Sequence, residues 1–245
     1  MSLPGFRSQF DTMVDRCVAL TLSSFRHLLL TFGQPMLLGY IIGLAWQNAE
    51  AEKTTFFVMA ISAIYLGCMN ACCLIVMERP VFDRERMFDL SIRAYVLSKA
   101  AVLTVVNAVG MALFLFMQTR SMPLGPGLTR QILMLLILTC TAVTASALGL
   151  LISAFARSAH AAVLAVPSLL VPQIVFSEIV LRSHIEKRFP EMMERLTITK
   201  WCYSGLTALG SEIDETAVVK ALFFLTLQFS VLILLCITKL KMDDV

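Results

Sequence analysis

Residues 54–77 read TTFFVMAISAIYLGCMNACCLIVM, and residues 78–99 continue ERPVFDRERMFDLSIRAYVLSK. The first 24 residues carry no charge. Of the next 22, nine are charged: Arg79, Arg84, Arg86, Arg93 and Lys99 are basic, and Glu78, Asp83, Glu85 and Asp89 are acidic. A helix rises about 1.5 Å per residue, so about 20 apolar residues cross the ~30 Å hydrocarbon core of a bilayer. The uncharged run therefore reads as a membrane span, and the charged run as a segment that must leave the membrane again. Its apolar members (Val81, Phe82, Met87, Phe88, Leu90, Ile92, Tyr95 and Val96) would give it one buried side.

The same pattern recurs along the chain. Six candidate spans follow by run length, at about 27–46, 54–77, 97–118, 131–154, 161–181 and 217–238. Backbone polar groups in lipid must be satisfied within their own segment, and no ten-residue alternating pattern of a barrel occurs, so the spans are expected to be helices. Of the 245 residues 58% are hydrophobic and only 15% charged, with a mean hydropathy of +0.80; soluble domains average about 25% charged. The fold class expected is an all-α integral membrane protein, one domain over 1–245, with no room for a separate soluble unit. A net charge of +3 gives no reason to expect nucleic acid.

Ahead of the first span, residues 4–26 are too polar to cross. Phe6, Phe10, Met13, Val14, Cys17, Val18, Leu20 and Phe25 recur at helical spacing among Arg7, Asp11, Asp15 and Arg16, which reads as an amphipathic helix on the membrane surface, or as a helix packed on another subunit. Asp11, Asp15 and Arg16 stand where a leader peptide needs its apolar core, so no cleaved leader is expected. Basic residues in the short loops favour the side holding both termini, 78–99 and 155–160 as cytoplasmic. The long outer stretch 182–216 is mixed, and its WCYSGLTALG (201–210) is apolar enough to dip into the bilayer without spanning it.

Several residue patterns bear on chemistry. No GxxxxGK[ST] phosphate loop, HExxH or GxSxG occurs. His27, His160 and His184 are far apart, and the seven cysteines show no zinc spacing. Cys202 alone falls in a polar outer segment, where a disulfide to a second copy is left open. Gln34, Asn70, Asn107, Gln173 and Gln228 lie inside spans and are expected to face the bundle or a cavity, as glue or as substrate contacts. Pro167 and Pro172 remove two backbone donors and should bend the fifth span, as a gate or as a static kink. Glu178, with Arg182 one turn on, is either an intramembrane functional carboxylate or half of an interfacial pair. Gly39 and Gly43 form a GxxxG in the first span.

The charged block resembles the first intracellular loop of type-2 ABC exporters, in particular the G subfamily (the White and pleiotropic drug resistance group) and its bacterial relatives. That loop runs roughly Glu-Arg-x-x-Phe-x-x-Glu, then an aromatic-rich helix ending in Lys or Gln; Glu78, Arg79, Phe82, Glu85, Tyr95 and Lys99 match. The helix before span 1 is similar to the family's connecting helix. ALGLLISAFARSAHAAVLAVPSLLVPQIVFS (147–177) is similar to its span 4 to span 5 region, and LTITKWCYSGLTALGSEI (196–213) to its outer re-entrant segment. The chain departs from the pattern at MFDLS (87–91), where the family has a Gly and a Tyr, at Thr199-Lys200 in place of Pro-Arg, and at Glu178 in place of Gly.

The resemblance implies a permease subunit of an exporter that works by alternating access, in the bacterial inner membrane. A separate ATPase subunit would bind ATP and Mg, this chain holding no cofactor of its own, and a second permease, identical or different, would complete the assembly within the lipids. It makes 78–99 the coupling segment, with Glu78, Arg79, Arg84 and Glu85 as candidate contacts to the ATPase. It places spans 2 and 5 on the transport path, which raises Asn70, Ser168 and Gln173 there, beside the Pro167, Pro172 and Glu178 region. Two other classes stay open from the residues alone: a membrane anchor recruiting a cytoplasmic protein through 78–99, and a lipid-modifying membrane enzyme, which would need convergent acid, base or metal groups.

Overall fold

The computed structural model describes residues 5–23, 25–46, 53–87, 90–121, 127–177, 188–210 and 213–242, and every regular element among them is a helix. In chain order these are α1 (Phe6–Leu22), α2 (Phe25–Ala45), α3 (Lys53–Ala71), α4 (Arg79–Arg86), α5 (Ile92–Ser121), α6 (Leu128–Phe155), α7 (Ala159–Val175), α8 (Arg188–Leu196), α9 (Ile198–Thr207) and α10 (Glu215–Met242). Five of them, α2, α3, α5, α6 and α10, are long and apolar enough to cross a membrane.

Six such spans are expected from run length, so α7 is the difference. Its 17 residues make about 25 Å of helix, short of the ~30 Å core. Pro167 and Pro172 interrupt its ladder, and the chain caps off at Phe176, whose N–H returns to the Pro172 carbonyl at 3.0 Å. Glu178 and Arg182 lie outside the described residues.

The second span also ends sooner than its run of apolar residues. The α3 ladder stops at Ala71, and 72–78 continue as consecutive turns. The cause is on α6: the Ser153 hydroxyl accepts the N–H groups of both Ile75 and Val76 at 3.0 Å, supplying from a neighbour what the helix would have supplied itself. Conversely, α5 begins at Ile92, five residues before the expected start, because Tyr95, Val96 and Lys99 are buried in the bundle. The charged block is thus split between α4 and the first two turns of α5.

The bundle is knit by close approaches. On α2 the GxxxG faces α5: a Cβ on Gly39 would run into the Phe114 carbonyl, and one on Gly43 would sit 2.7 Å from Ser121 Cβ. On α6, a Cβ on Gly149 would come within 2.6 Å of the Cys68 carbonyl oxygen of α3. Helix α1 lies over the start of α5 with Cys17 buried, while Phe6, Val18, Leu20 and Leu22 stay exposed, apolar surface that suits contact with lipid. Helices α8 and α9 are too short to span. They join at Thr197, whose backbone is extended and whose side chain caps α9 through the Lys200 N–H. Helix α9 runs antiparallel along α10, with Gly205 against Ala221, the Trp201 ring 3.9 Å from that of Phe224, and the Leu196 carbonyl accepting from Gln228 Nε2 at 3.0 Å. The α8–α9 turn therefore sits about 20 Å along α10 from its first residue. Cys202, expected in a polar segment, is instead completely buried among Ile137, Leu138 and Leu206, out of reach of a second copy.

Candidate functional site

Helix α4 is the meeting point of one end of the molecule. Pro80 opens it, since a proline in the first turn forfeits no intrahelical hydrogen bond. Its inner face carries Phe82, 3% exposed, with its ring centroid 4.6 Å from that of Tyr95. Just before it, Glu78 accepts from Lys99 Nζ at 2.7 Å and from the Tyr95 hydroxyl at 3.3 Å, and the same Nζ lies 4.8 Å from the Tyr95 ring centroid. Lys99 is 3% exposed, so this is a buried ion pair joining the α3–α4 connection to α5.

Three further ties reach other elements. Arg16 of α1 donates to Glu85 at 2.6 Å, reinforced where Gln9 Oε1 takes the Ser91 N–H at 2.8 Å. Arg79 donates to the Ala156 carbonyl at the end of α6 (3.3 Å), and Arg86 to the Leu240 carbonyl in the last turn of α10 (3.1 Å). Burial pushes the nearby Cys17 thiol up, keeping it neutral beside this network.

Of the four residues singled out from the sequence as outward contacts, three therefore point inward: Glu78, Arg79 and Glu85 are each bonded within the chain. Arg84 is exposed, together with Pro80, Asp83 and Met87, and these four make the open face of α4. The sequence pattern places the helix but leaves its faces open, because the partners Arg16, Lys99 and Leu240 are distant in sequence. The charge of Arg16 and of Lys99, each standing at the margin of an apolar run, was the available signal.

A second feature lies beside this network. A cavity of about 810 Å³ opens between α1, α2, α3 and α5, lined by apolar residues and by Thr31, Gln34, Asn70 and Glu78. Asn70 donates to Asn107 Oδ1 at 3.0 Å, and Asn107, fully buried, donates on to the Ala142 carbonyl at 3.4 Å. Gln34 Nε2 reaches the Tyr65 hydroxyl at 3.4 Å. The span amides expected to face a cavity or the bundle thus divide between the two. Ser168 bonds only to its own turn, at the Leu164 carbonyl, and with Pro167 and Pro172 it occupies an exposed face of α7. Gln173 turns the other way: its Oε1 accepts from the N–H groups of Ile198 (3.0 Å) and Thr199 (3.3 Å) and from the Thr199 hydroxyl (3.2 Å), so it caps α9. Among the described residues no group of three His, Cys, Asp or Glu converges as a metal site.

Comparison with known families finds a match to the model described as ABC-2 type transporter over residues 8–209. That interval runs from α1 through α9 and takes in both the α4 hub and the amide-lined cavity. A comparison with the curated proteins finds no match.

Proposed function

The chain belongs to the ABC-2 type transporter family and is its membrane-embedded permease subunit, and on that premise we propose that it is an exporter permease of the G-subfamily kind, driven through α4. A separate ATPase subunit docks on the open face formed by Pro80, Asp83, Arg84 and Met87, binds ATP and Mg itself, and lies with both termini of this chain on the cytoplasmic side of a bacterial inner membrane. A second permease copy, identical or related, completes the path. Closure of the ATPase pair displaces α4, and the spans alternate between inward and outward openings.

The observation that carries this reading is the two-sidedness of α4. One face is tied to α1, α5, α6 and α10, so a displacement is felt throughout the bundle; the other presents an acid, a base and apolar surface that no element among the described residues covers. A solvated loop would need no such anchoring. Substrate passes along the cavity lined by Gln34 and Asn70 on its way past α3 and α7. Pro167, Ser168 and Pro172, on the exposed face of α7, line the path together with the second copy, and Glu178 is a candidate for the outer gate. Gln173 holds α9 through its Oε1 and also lines the cavity beside α10.

The test is co-purification of an ATPase with the full-length chain, and ATP-driven efflux from vesicles, comparing wild type with Arg84→Glu and Asp83→Arg. Both variants keep the folded bundle because neither side chain is bonded inside it. Loss of co-purification and of efflux in these two variants supports the reading; retention of both, in stably folded protein, refutes it.

A further inference from the structure

A second cavity, about 930 Å³, lies between the α8–α9 segment and α10, and it shares no lining helix with the Asn70 cavity. Its walls are apolar: the stacked Trp201 and Phe224, then Leu227 and Val231 further along α10. Three cations also line it, Arg195, Lys200 and Lys220. Its size falls in the range of about 300–1,000 Å³ typical of small-ligand sites.

Charge balance in this groove is incomplete. Lys200 is paired with Glu194 at 2.8 Å. Arg195 and Lys220 have no carboxylate within ion-pair distance among the described residues. Asp214 acts on Lys220 only through its field; its carboxyl, held below the usual range first by the Thr216 hydroxyl and then by the backbone N–H groups of Ala217 and Thr216, is spent capping α10. The groove also opens on an apolar surface, since Leu227 and Val231 are exposed and continue into exposed Leu234 and Leu235 on the same helix, a face that suits contact with lipid. Unpaired cations beside hydrocarbon are costly and call for a counter-ion. A free anion would satisfy the charges but leave the aliphatic wall bare.

We infer that this groove is a binding site for one anionic phospholipid of the leaflet on the α9 side. An acyl chain lies along Phe224, Leu227 and Val231. The headgroup phosphate faces the two cations without a carboxylate, Lys220, one turn before Phe224 on α10, and Arg195, reaching along the groove from the α8–α9 turn, while Lys200 stays paired with Glu194. The site rests only on the chain being membrane-embedded, so it stands or falls separately from the docking of an ATPase on α4.

Trp201 forms a wall of the groove and is one of two tryptophans in the chain, so it can report occupancy directly. The full-length chain carrying Trp46→Phe is placed in vesicles of phosphatidylcholine containing a fixed fraction of chain-brominated phosphatidylglycerol, or the same fraction of chain-brominated phosphatidylcholine. Trp201 should be quenched more strongly by the anionic lipid. Each of Arg195→Gln and Lys220→Gln should lower that preference by about fivefold, the weight of one juxtamembrane cation facing anionic lipid, whereas Arg195→Lys with Lys220→Arg should keep it. Equal quenching by the two lipids, or a preference untouched by both Gln variants, overturns the site. Quenching by neither lipid means that protein, such as a second copy, covers the groove, and overturns it as well. A preference abolished by millimolar inorganic phosphate would make a free anion the ligand, which also overturns the lipid assignment.

Discussion

The buried pair between Lys99 and Glu78 permits a quantitative test of how α4 is held. Lys99→Met removes the ammonium, keeps a similar apolar stem, and leaves the Glu78 carboxylate with only the Tyr95 hydroxyl at 3.3 Å. The lysine is 3% exposed and the glutamate 19%, with 2.7 Å between the charged atoms, so solvent cannot take over the lost partner cheaply. Removing one side of such a pair costs about 3–5 kcal/mol, whereas replacing both sides with neutral groups of similar volume is close to neutral. At about 2–4 °C per kcal/mol for a chain of this size, Lys99→Met should lower the apparent Tm by at least ~6 °C. Glu78→Gln combined with Lys99→Met should recover most of that loss. Thermal unfolding of the purified chain in one detergent, followed by size-exclusion recovery, measures all the variants. A drop below ~2 °C for the single change, or a double variant no better than the single, would refute the claim that this pair is buried and mutually dependent.

Three other outcomes follow from the same geometry. Arg16→Glu and Glu85→Arg should each weaken transport by loosening α1 from α4, and the two together should restore most of it; the pair is 30% exposed on both sides, so its worth is about 0.5–1 kcal/mol, and a swap that fails to restore transport places Glu85's partner on another subunit. Gly149→Leu should reduce folded yield sharply, since even a Cβ there meets the Cys68 carbonyl at 2.6 Å; overpacking of this kind costs about 1–3 kcal/mol or more, and a normal monodisperse peak would contradict the close α3–α6 approach. Gln173→Ala should speed hydrogen exchange at the first turn of α9 without altering α10, by releasing three donors worth roughly the 0.5–2 kcal/mol of a helix cap; unchanged exchange at Ile198 and Thr199 would remove its capping role.

The membrane class and most of the helices were legible because they depend on composition and run length, which are local properties. So was the Gly39–Gly43 contact, since small residues spaced by four mark a face wherever it packs. What could not be read was decided by partners remote in sequence. The apolar letters of LIVM (74–77) continue the second span on paper, yet Ser153 draws the backbone of Ile75 and Val76 out of the ladder. Lys99 closes the charged block and falls at the start of the third expected span, but its burial there depends on Glu78, 21 residues earlier, which neutralises it. Gln173 reads as a polar group inside a span, and its bond to the start of α9, 25 residues on, has no local signal. The polar look of the segment around Cys202 hid a one-sided helix whose Ile198, Cys202 and Leu206 fill the core.

These ties also bear on which helix a push on α4 would reach. Helix α4 joins α3 covalently, but through turns at 72–78 whose only cross-bundle backbone support among the described residues is the Ser153 hydroxyl. A connection of that kind can absorb a change of angle, as hinges built from element-terminal residues do. Its links to α5 are of another sort: a buried ion pair, a hydroxyl–carboxylate bond and two packed aromatic rings, all within the first two turns of an unbroken 30-residue helix. Bending that helix would break its own hydrogen bonds, so a displacement at Lys99 would carry along its length toward Asn107 and the Asn70 cavity. The physical chemistry thus favours α5 as the helix that would receive motion from α4, and α3, despite its direct covalent connection, as the one that yields.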